Sequence, residues 1–281
     1  VMDIVTNAKI ILEKGSNIKA GGSVVMKAVS SQKNNLVPFV EGANIINVKI
    51  GNAVISILGN IEAGGAVEAT ASSTVNVAAS NETLAKYYIP LAAGILVSEA
   101  RVETGKDSVI TAGGDVKLSS ISDVTLTTLS TVGALPISLA LSVVVNDSHV
   151  QVLGKIISRN GDISLDAKGS SKVTTKSTNK TPETSENAVN PGNGSSTPTG
   201  SGSLSNKYGG FFAASIVIQD VDASVTGNGS LSAVNGNITI NSQSYEKVDT
   251  QAVSVGGSKD QNDQESQTVG GIKDKITALL K

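Results

Sequence analysis

The chain of 281 residues carries a formal net charge of −2 and contains no cysteine. The absence of a dense Lys/Arg run argues against nucleic acid as a partner, and the absence of cysteine excludes disulfides and thiolate metal sites. Apolar residues make up 39% of the chain and aromatic residues only 2%, so the core must be aliphatic. No apolar run reaches the roughly 18 residues that a membrane-spanning helix needs, so we expect no membrane insertion.

A short phrase containing two glycines recurs along the chain. It reads Ile-x-Ala-Gly-Gly-x-Val at residues 18–24, 61–67 and 110–116, and altered copies stand at 157–163 and 233–238. Their last glycines are separated by 43, 49, 47 and 75 residues. A period in this range is typical of a solenoid, whose units bury their apolar faces only by stacking on one another. The chain opens inside a repeat, which predicts that it is a segment of something longer.

The best-defined strand of the repeat follows the third glycine pair. Val116 and Leu118 share one face at period two, which is the pattern of a half-buried strand. A repeat of this length is too long for one coil of three short strands, so it predicts two coils of about 22 residues. Nine or ten such coils would form a rod about 45 Å long. We expect aliphatic ladders inside it and Ser, Thr, Asn and Lys ladders outside.

The glycine pair predicts the backbone conformation of a corner. Two later copies carry Asn160 and Asn235 before their glycine. Asn tolerates a positive φ better than other non-glycine residues, so the exchange predicts a left-handed backbone. A β-hairpin turn is the alternative. Recurrence inside a long repeat favours the solenoid corner.

A nearly continuous apolar strand also recurs. Its copies span 37–40, 89–97, 135–145 and 211–218, and Pro38, Pro90 and Pro136 occupy matching places in the first three. A proline just before a strand removes no ladder hydrogen bond. Continuous apolar character favours parallel pairing with both faces covered, or a place in an inner wall.

Two segments depart from the repeat. Residues 169–206 are rich in Ser, Thr, Asn, Pro and Gly, which predicts a flexible insertion, and removing roughly 30 residues restores the period. Residues 246–281 begin as a polar segment and end with Ile272, Ile276, Leu279 and Leu280 on one helical face. We expect this C-terminal amphipathic helix to cover the open end or the side of the solenoid. A membrane-binding helix is the alternative.

Isolated polar residues offer few candidate sites. His149 is the only histidine, and with Val150 directed inward it should lie on the outer face of a strand. Glu99 and Arg101 read as a same-face ion pair. Asp220 and Asp222 form another same-face pair and are the first place to look for calcium.

Neither a metal site nor an active site emerges from these residues. Asp115 follows a glycine pair as in calcium-binding repeats, but the equivalent positions do not repeat the carboxylate. Glu99, Asp220 and Asp222 are the carboxylates available for glycoside hydrolysis, without the aromatic platforms of polysaccharide sites. We therefore predict no catalytic, cofactor-binding or metal-binding residue, no cofactor, and no enzyme activity.

The repeat resembles those of very large exported bacterial proteins. The likeness is carried by residues 112–116 and their copies, and by the apolar strands at 89–97 and 135–145. These motifs, within residues 8–245, resemble filamentous-haemagglutinin-like adhesins and leukotoxin-like exoproteins of two-partner secretion. The resemblance implies a right-handed parallel β-helix that is displayed at the bacterial cell surface or released from it. It carries over no catalytic residue.

The expected function follows from this architecture. We predict an all-β, right-handed parallel β-helix over 1–245, interrupted at 169–206, as a structural or adhesive segment of a bacterial cell-surface or secreted virulence protein. Its expected partner is a host or neighbouring-cell receptor or glycan, bound by a monomeric rod within a longer chain. A polysaccharide-active or carbohydrate-binding β-helix is the alternative. Contact with a ligand is expected first at 169–206, because loops on rigid scaffolds commonly carry recognition.

Overall fold

The computed structural model describes residues 2–36, 44–83, 90–132, 137–179 and 210–253, which form β-strands and no helix. Sheet A contains β1 (Met2–Leu12), β4 (Ile45–Ile57), β7 (Leu91–Thr104), β10 (Ile137–Val152) and β13 (Gly210–Val225). Sheet B contains β2 (Asn17–Ala20), β5 (Asn60–Ala63), β8 (Val109–Ala112), β11 (Lys155–Ser158) and β14 (Ser230–Ala233). Sheet C contains β3 (Val24–Leu36), β6 (Val67–Thr83), β9 (Val116–Val132), β12 (Ile163–Asn179) and β15 (Ile238–Val253). The all-β prediction is confirmed, and the three parallel sheets fit a parallel β-helix.

Each repeat forms one coil, so the prediction of two coils per repeat is wrong. Every coil runs through one long strand of sheet A, one short strand of sheet B and one long strand of sheet C, and equivalent residues of successive coils pair in parallel register. The Ser/Thr-rich stretch 121–131 lies within β9, so sheet C strands are long. The result is five broad coils, about 20 Å along the stack and about 55 Å across, in place of a thin rod.

The half of the interior beside sheet B is mostly aliphatic. Ile61, Ile110 and Ile156 form a ladder on sheet B, and they pack against inward residues of both long sheets in one cluster. Val116 and Leu118 are fully buried there, which confirms the face predicted for them. Burial of this kind is the main favourable free energy that holds the coils together.

The other half of the interior is layered with polar groups, which corrects the expectation that Ser, Thr, Asn and Lys lie only outside. Ser98 lies between Ser73 and Ser122, with oxygen-to-oxygen distances of 2.8 and 2.7 Å. A second chain of hydroxyl groups crosses deeper in the coils. A smaller aliphatic cluster around Leu96 and Leu126 separates the two layers. Buried polar groups are tolerated here because hydroxyl groups on facing strands of sheets A and C hydrogen-bond to each other.

The glycine pairs are not in a left-handed conformation. Among the described residues positive φ occurs at Gly15 and Gly227, which lie at the other corner, between sheets A and B. At the glycine-pair corner the reason for glycine is close stacking. A β-carbon on Gly113 would press into the carbonyl oxygen of Gly64 in the coil below, whereas one on Gly21, in the first coil, would meet no atom within 4 Å.

The segment boundaries differ from those read in the sequence. β12 continues to Asn179, so 169–179 belong to a strand, and β15 continues to Val253. The rest of the predicted insertion, from 180, and the predicted helix around Ile276 lie outside the described residues. Pro90 directly precedes β7 as expected, whereas Pro38 and Pro136 are not described.

Candidate functional site

The outer face of sheet A brings together the polar residues that the sequence marked separately. The register places Glu99, Asp147 and Asp220 on one ladder across the third, fourth and fifth coils. Arg101, His149 and Asp222 form the adjacent ladder. We call these six residues the charged patch.

One ion pair and one His–Asp contact organise the charged patch. The Nε of Arg101 lies 3.0 Å from Oε1 of Glu99, which confirms the predicted same-face pair. The Nε2 of His149 lies 3.7 Å from Oδ2 of Asp220, and this contact is an ion pair only when the imidazole is protonated. His149 projects outward and Val150 is buried, as expected. Asp222 is exposed beside them.

Asp147 is the residue of the charged patch that sequence reasoning missed. Its partial burial raises the pKa of the carboxyl group, and His149 opposes that rise, while the neighbouring carboxylates of Asp220 and Glu99 add to it. Aligning the repeats would have found it, because Asp147 stands in register with Glu99. The sequence signal for Asp147 is therefore its position in the repeat, since no local motif marks it.

Asp115, which follows a glycine pair as in calcium-binding repeats, has a structural role. Oδ1 of Asp115 accepts a hydrogen bond of 2.9 Å from the backbone N–H of Asp162, and Oδ1 of Asp162 accepts one of 2.7 Å from the N–H of Asn237. Ser23 does the same for Ala66 in the first two coils. The position after the glycine pair therefore ties one coil to the next.

No metal-binding arrangement is found within the described ranges. No group of three or more His, Asp or Glu side chains there is placed to hold an ion, and this includes Asp220 and Asp222. The carboxylates of the charged patch lie one coil apart, about 4.8 Å between strands, but they line a flat wall and are partly neutralised by Arg101.

A shallow groove of about 300 Å³ lies over sheet B. Asparagines line one side of it, where Nδ2 of Asn60 donates to Oδ1 of Asn17 at 3.0 Å and Oδ1 of Asn60 accepts the N–H of Val109 at 2.9 Å. The remaining lining side chains are charged, hydroxylic or aliphatic, namely Ile18, Lys19, Ile61, Glu62, Thr111 and Arg159. This surface is the sheet B groove.

Charge is distributed unevenly in the sheet B groove. Lys19 is paired with Glu62 at 3.2 Å. The guanidinium group of Arg159 has no hydrogen-bond or ion-pair partner among the described residues, and its side chain is exposed at the fourth coil. The groove therefore offers one available cation and several amide and hydroxyl groups, which is a donor set suited to an acidic or hydroxyl-rich ligand.

The corner between sheets A and B carries an ion pair of its own. The first and third coils have longer corners here than the second, and Nζ of Lys14 meets Oδ2 of Asp107 at 2.7 Å across the second coil. The hydrogen bond from Lys14 lowers the pKa of Asp107 and raises the pKa of the lysine. Both side chains are exposed, so the pair adds little to stability.

Comparison of the chain with protein-family models, curated proteins and solved structures found no match. In the part of the chain that the structure describes, no helix has the length and apolar character needed to cross a membrane.

Proposed function

We propose that this chain is a structural and adhesive β-helical segment of a large bacterial cell-surface or secreted protein. The observation that carries the proposal is the contrast between its interior and its outer faces. The interior row of sheet B stays aliphatic from coil to coil, as in the ladder of Ile18, Ile61 and Ile110, whereas the adjacent outer row changes from Lys19 to Glu62 to Thr111. Such a body is built for extension and display.

The topology favours one edge for recognition. Strands of sheet A begin, and strands of sheet C end, at the edge opposite sheet B, so every connection between successive coils starts and finishes there. The longest of these connections joins Asn179 to Gly210. Long connections anchored on a rigid scaffold are common carriers of recognition, and in this proposal the 180–209 segment contacts a receptor or glycan on a host or neighbouring cell.

A carbohydrate-binding wall is the second candidate, and the sheet B groove is the observation that favours it. Arg159 supplies a cation for a carboxylate or sulfate, and Asn17, Asn60 and Thr111 supply polar groups for hydroxyls. Binding in this groove would place recognition on the β-helix wall, on the opposite side from the coil connections. The two candidates therefore predict different effects on glycan binding when the 180–209 segment is deleted and when Arg159 is substituted.

A glycan array with four proteins tests both candidates. They are the intact chain, a deletion of residues 181–208, Arg159→Ala, and Lys155→Ala as a matched control on sheet B outside the groove. Deletion within these limits leaves β12 and β13 whole, because β12 ends at Asn179. Binding that is lost only with the deletion supports recognition by the 180–209 segment.

The other outcomes are equally informative. Binding lost in Arg159→Ala but kept in Lys155→Ala and in the deletion would move recognition to the sheet B groove. Binding by none of the four proteins would contradict glycan adhesion and leave a purely structural segment. Cleavage of any array glycan would contradict the absence of catalysis, and Asp147→Asn would then test the charged patch directly.

A further inference from the structure

The fifth coil leaves the aliphatic interior uncovered. Ile238 and Ile240 are 47% and 49% exposed, although their register partners in the fourth coil, Ile163 and Leu165, are fully buried. The same contrast recurs farther along β15, where Val248 is 43% exposed and its partner Val173 is 2% exposed.

The exposed residues belong to the core by register and not to the outer surface. Their ladder partners in the four preceding coils form the cluster beside sheet B. Among the described strands, β13, β14 and β15 each have a neighbour on one side only. An open coil of this kind needs a cover, because unpaired strand edges and exposed core side chains promote association.

We propose that residues 254–281 fold back over the fifth coil and place Ile272, Ile276, Leu279 and Leu280 on Ile238 and Ile240. The segment leaves β15 directly at Val253, so it starts on the coil that needs the cover. Its four apolar residues recur at helical spacing and form a single stripe.

The length of the segment permits this placement. Ile238 and Val253 lie at opposite ends of a strand of 16 residues, about 50 Å apart. Residues 254–271 connect Val253 to the apolar stripe, and when extended they reach about 59 Å. The length of the segment therefore allows the stripe to reach the aliphatic side of the coil beside sheet B.

The absence of cysteine allows a clean accessibility test. Ile240→Cys introduces the only thiol of the chain, and its rate of reaction with a maleimide reports whether the fifth coil is covered. That rate is measured in the otherwise unchanged chain, in Ile276→Asp with Leu280→Asp, and in the charge-matched control Thr277→Asp with Ala278→Asp. A thiol introduced as Val29→Cys, at an outward position of the first coil that is 62% exposed, corrects for general reactivity.

The proposal requires the Ile276→Asp/Leu280→Asp chain to label at least about tenfold faster at position 240 than the unchanged chain and the charge-matched control. Equal rates in all three chains would overturn it. A slow rate that rises on dilution would overturn it as well, since a second copy of the chain would then be the cover. Far-UV circular dichroism of each variant verifies that the β-helix is intact, and disulfide formation between Ile240→Cys and Leu279→Cys gives independent evidence of contact.

Discussion

The two halves of the interior solve the same stacking problem with different chemistry. Beside sheet B the rows are mostly aliphatic, as in the row that contains Leu118 and Leu165. Ser120 and Ser148 interrupt two of these rows and hydrogen-bond to each other at 2.8 Å. Farther from sheet B, hydroxyl and amide rows alternate with a small aliphatic cluster. The difference shows that a β-helix interior does not require every row to be apolar: where serine and threonine replace aliphatic residues, they hydrogen-bond across the interior to the facing sheet.

The two halves should respond differently to side-chain removal. An aliphatic row loses transfer and cavity free energy when it is truncated. Truncation of a side chain in a polar row instead leaves its former hydrogen-bond partners buried and unpaired. The following predictions separate these effects, in order of decreasing size.

Leu118→Ala should have the largest effect, because this side chain is fully buried in the aliphatic half. We expect a loss of about 3 to 5 kcal/mol in the free energy of unfolding, measured by urea denaturation. Ile240→Ala removes a side chain from the same row in the fifth coil, where the cover proposed above would bury it, so its loss should approach that of Leu118→Ala. A loss below about half of that of Leu118→Ala would mean that the fifth coil is uncovered.

Asn146→Ala tests the polar half. Its Nδ2 lies within hydrogen-bonding distance of the carbonyl oxygens of Ser122 and Ser170 and of Oγ of Ser171, the last at 2.9 Å. We expect a loss of about 2 to 3 kcal/mol in the same denaturation experiment. Asn146→Leu keeps the volume but not the hydrogen bonds, so it should not restore stability. If Asn146→Leu restored the free energy of unfolding, this layer would need only the volume of the side chain and not its hydrogen bonds.

Gly113→Ala tests the stacking of the corners. The new methyl group would press into the carbonyl of Gly64, so we expect a loss of about 2 kcal/mol as the corner shifts. Gly21→Ala is the matched control, since the methyl group would stand in open space at the first coil. A comparable loss in both variants would point to backbone conformation, and not to contact between coils, as the reason for glycine.

Asp147→Asn should have the smallest effect, visible in the pH dependence of stability. Burial raises the pKa of Asp147 in the folded chain, so the native state binds more protons than the unfolded state just above the ordinary aspartate pKa of 3.8. Stability therefore falls as pH rises through that window, and the asparagine variant should lose this fall.

The exposed pair of Asp107 and Lys14 provides the opposite sign for the same experiment. The lowered pKa of Asp107 contributes stability above pH 3.8 that is lost as pH falls. Asp107→Asn should therefore reduce the loss of stability that occurs as pH falls. Asp147→Asn should instead reduce the loss of stability that occurs as pH rises. Identical pH profiles for the two variants would contradict both assignments. Thermal unfolding from pH 3 to 7 measures them.

The alternation of apolar and polar residues made the faces of the strands partly predictable. Alternation placed Val116 and Leu118 on the buried face and His149 on the outer face, because side chains alternate strictly along a strand. It could not show that Ser122 and Ser98 lie inside, because serine is common on outer faces. The number of coils was overestimated because the prediction assumed three short strands per coil, whereas two of the three strands are long, 17 residues in β9 and 16 in β10.

The charged patch shows the same limit. Glu99 and Arg101 are close along the chain, so their ion pair was predictable from one strand. Asp147 and Asp220 join them only through the register of neighbouring coils, over sequence separations that no local motif spans. A pairwise alignment of the repeats is the information that was needed.

The amino-acid sequence by itself determined that this protein is a stack of parallel β-coils with glycine corners, because the recurring phrase sets both period and register. Only the tertiary structure decided how many coils one period makes, which polar rows lie inside, and why Gly113 must be glycine. These features depend on contacts between residues one coil apart, such as Gly113 with Gly64. The conformational preferences of a single strand do not determine such contacts.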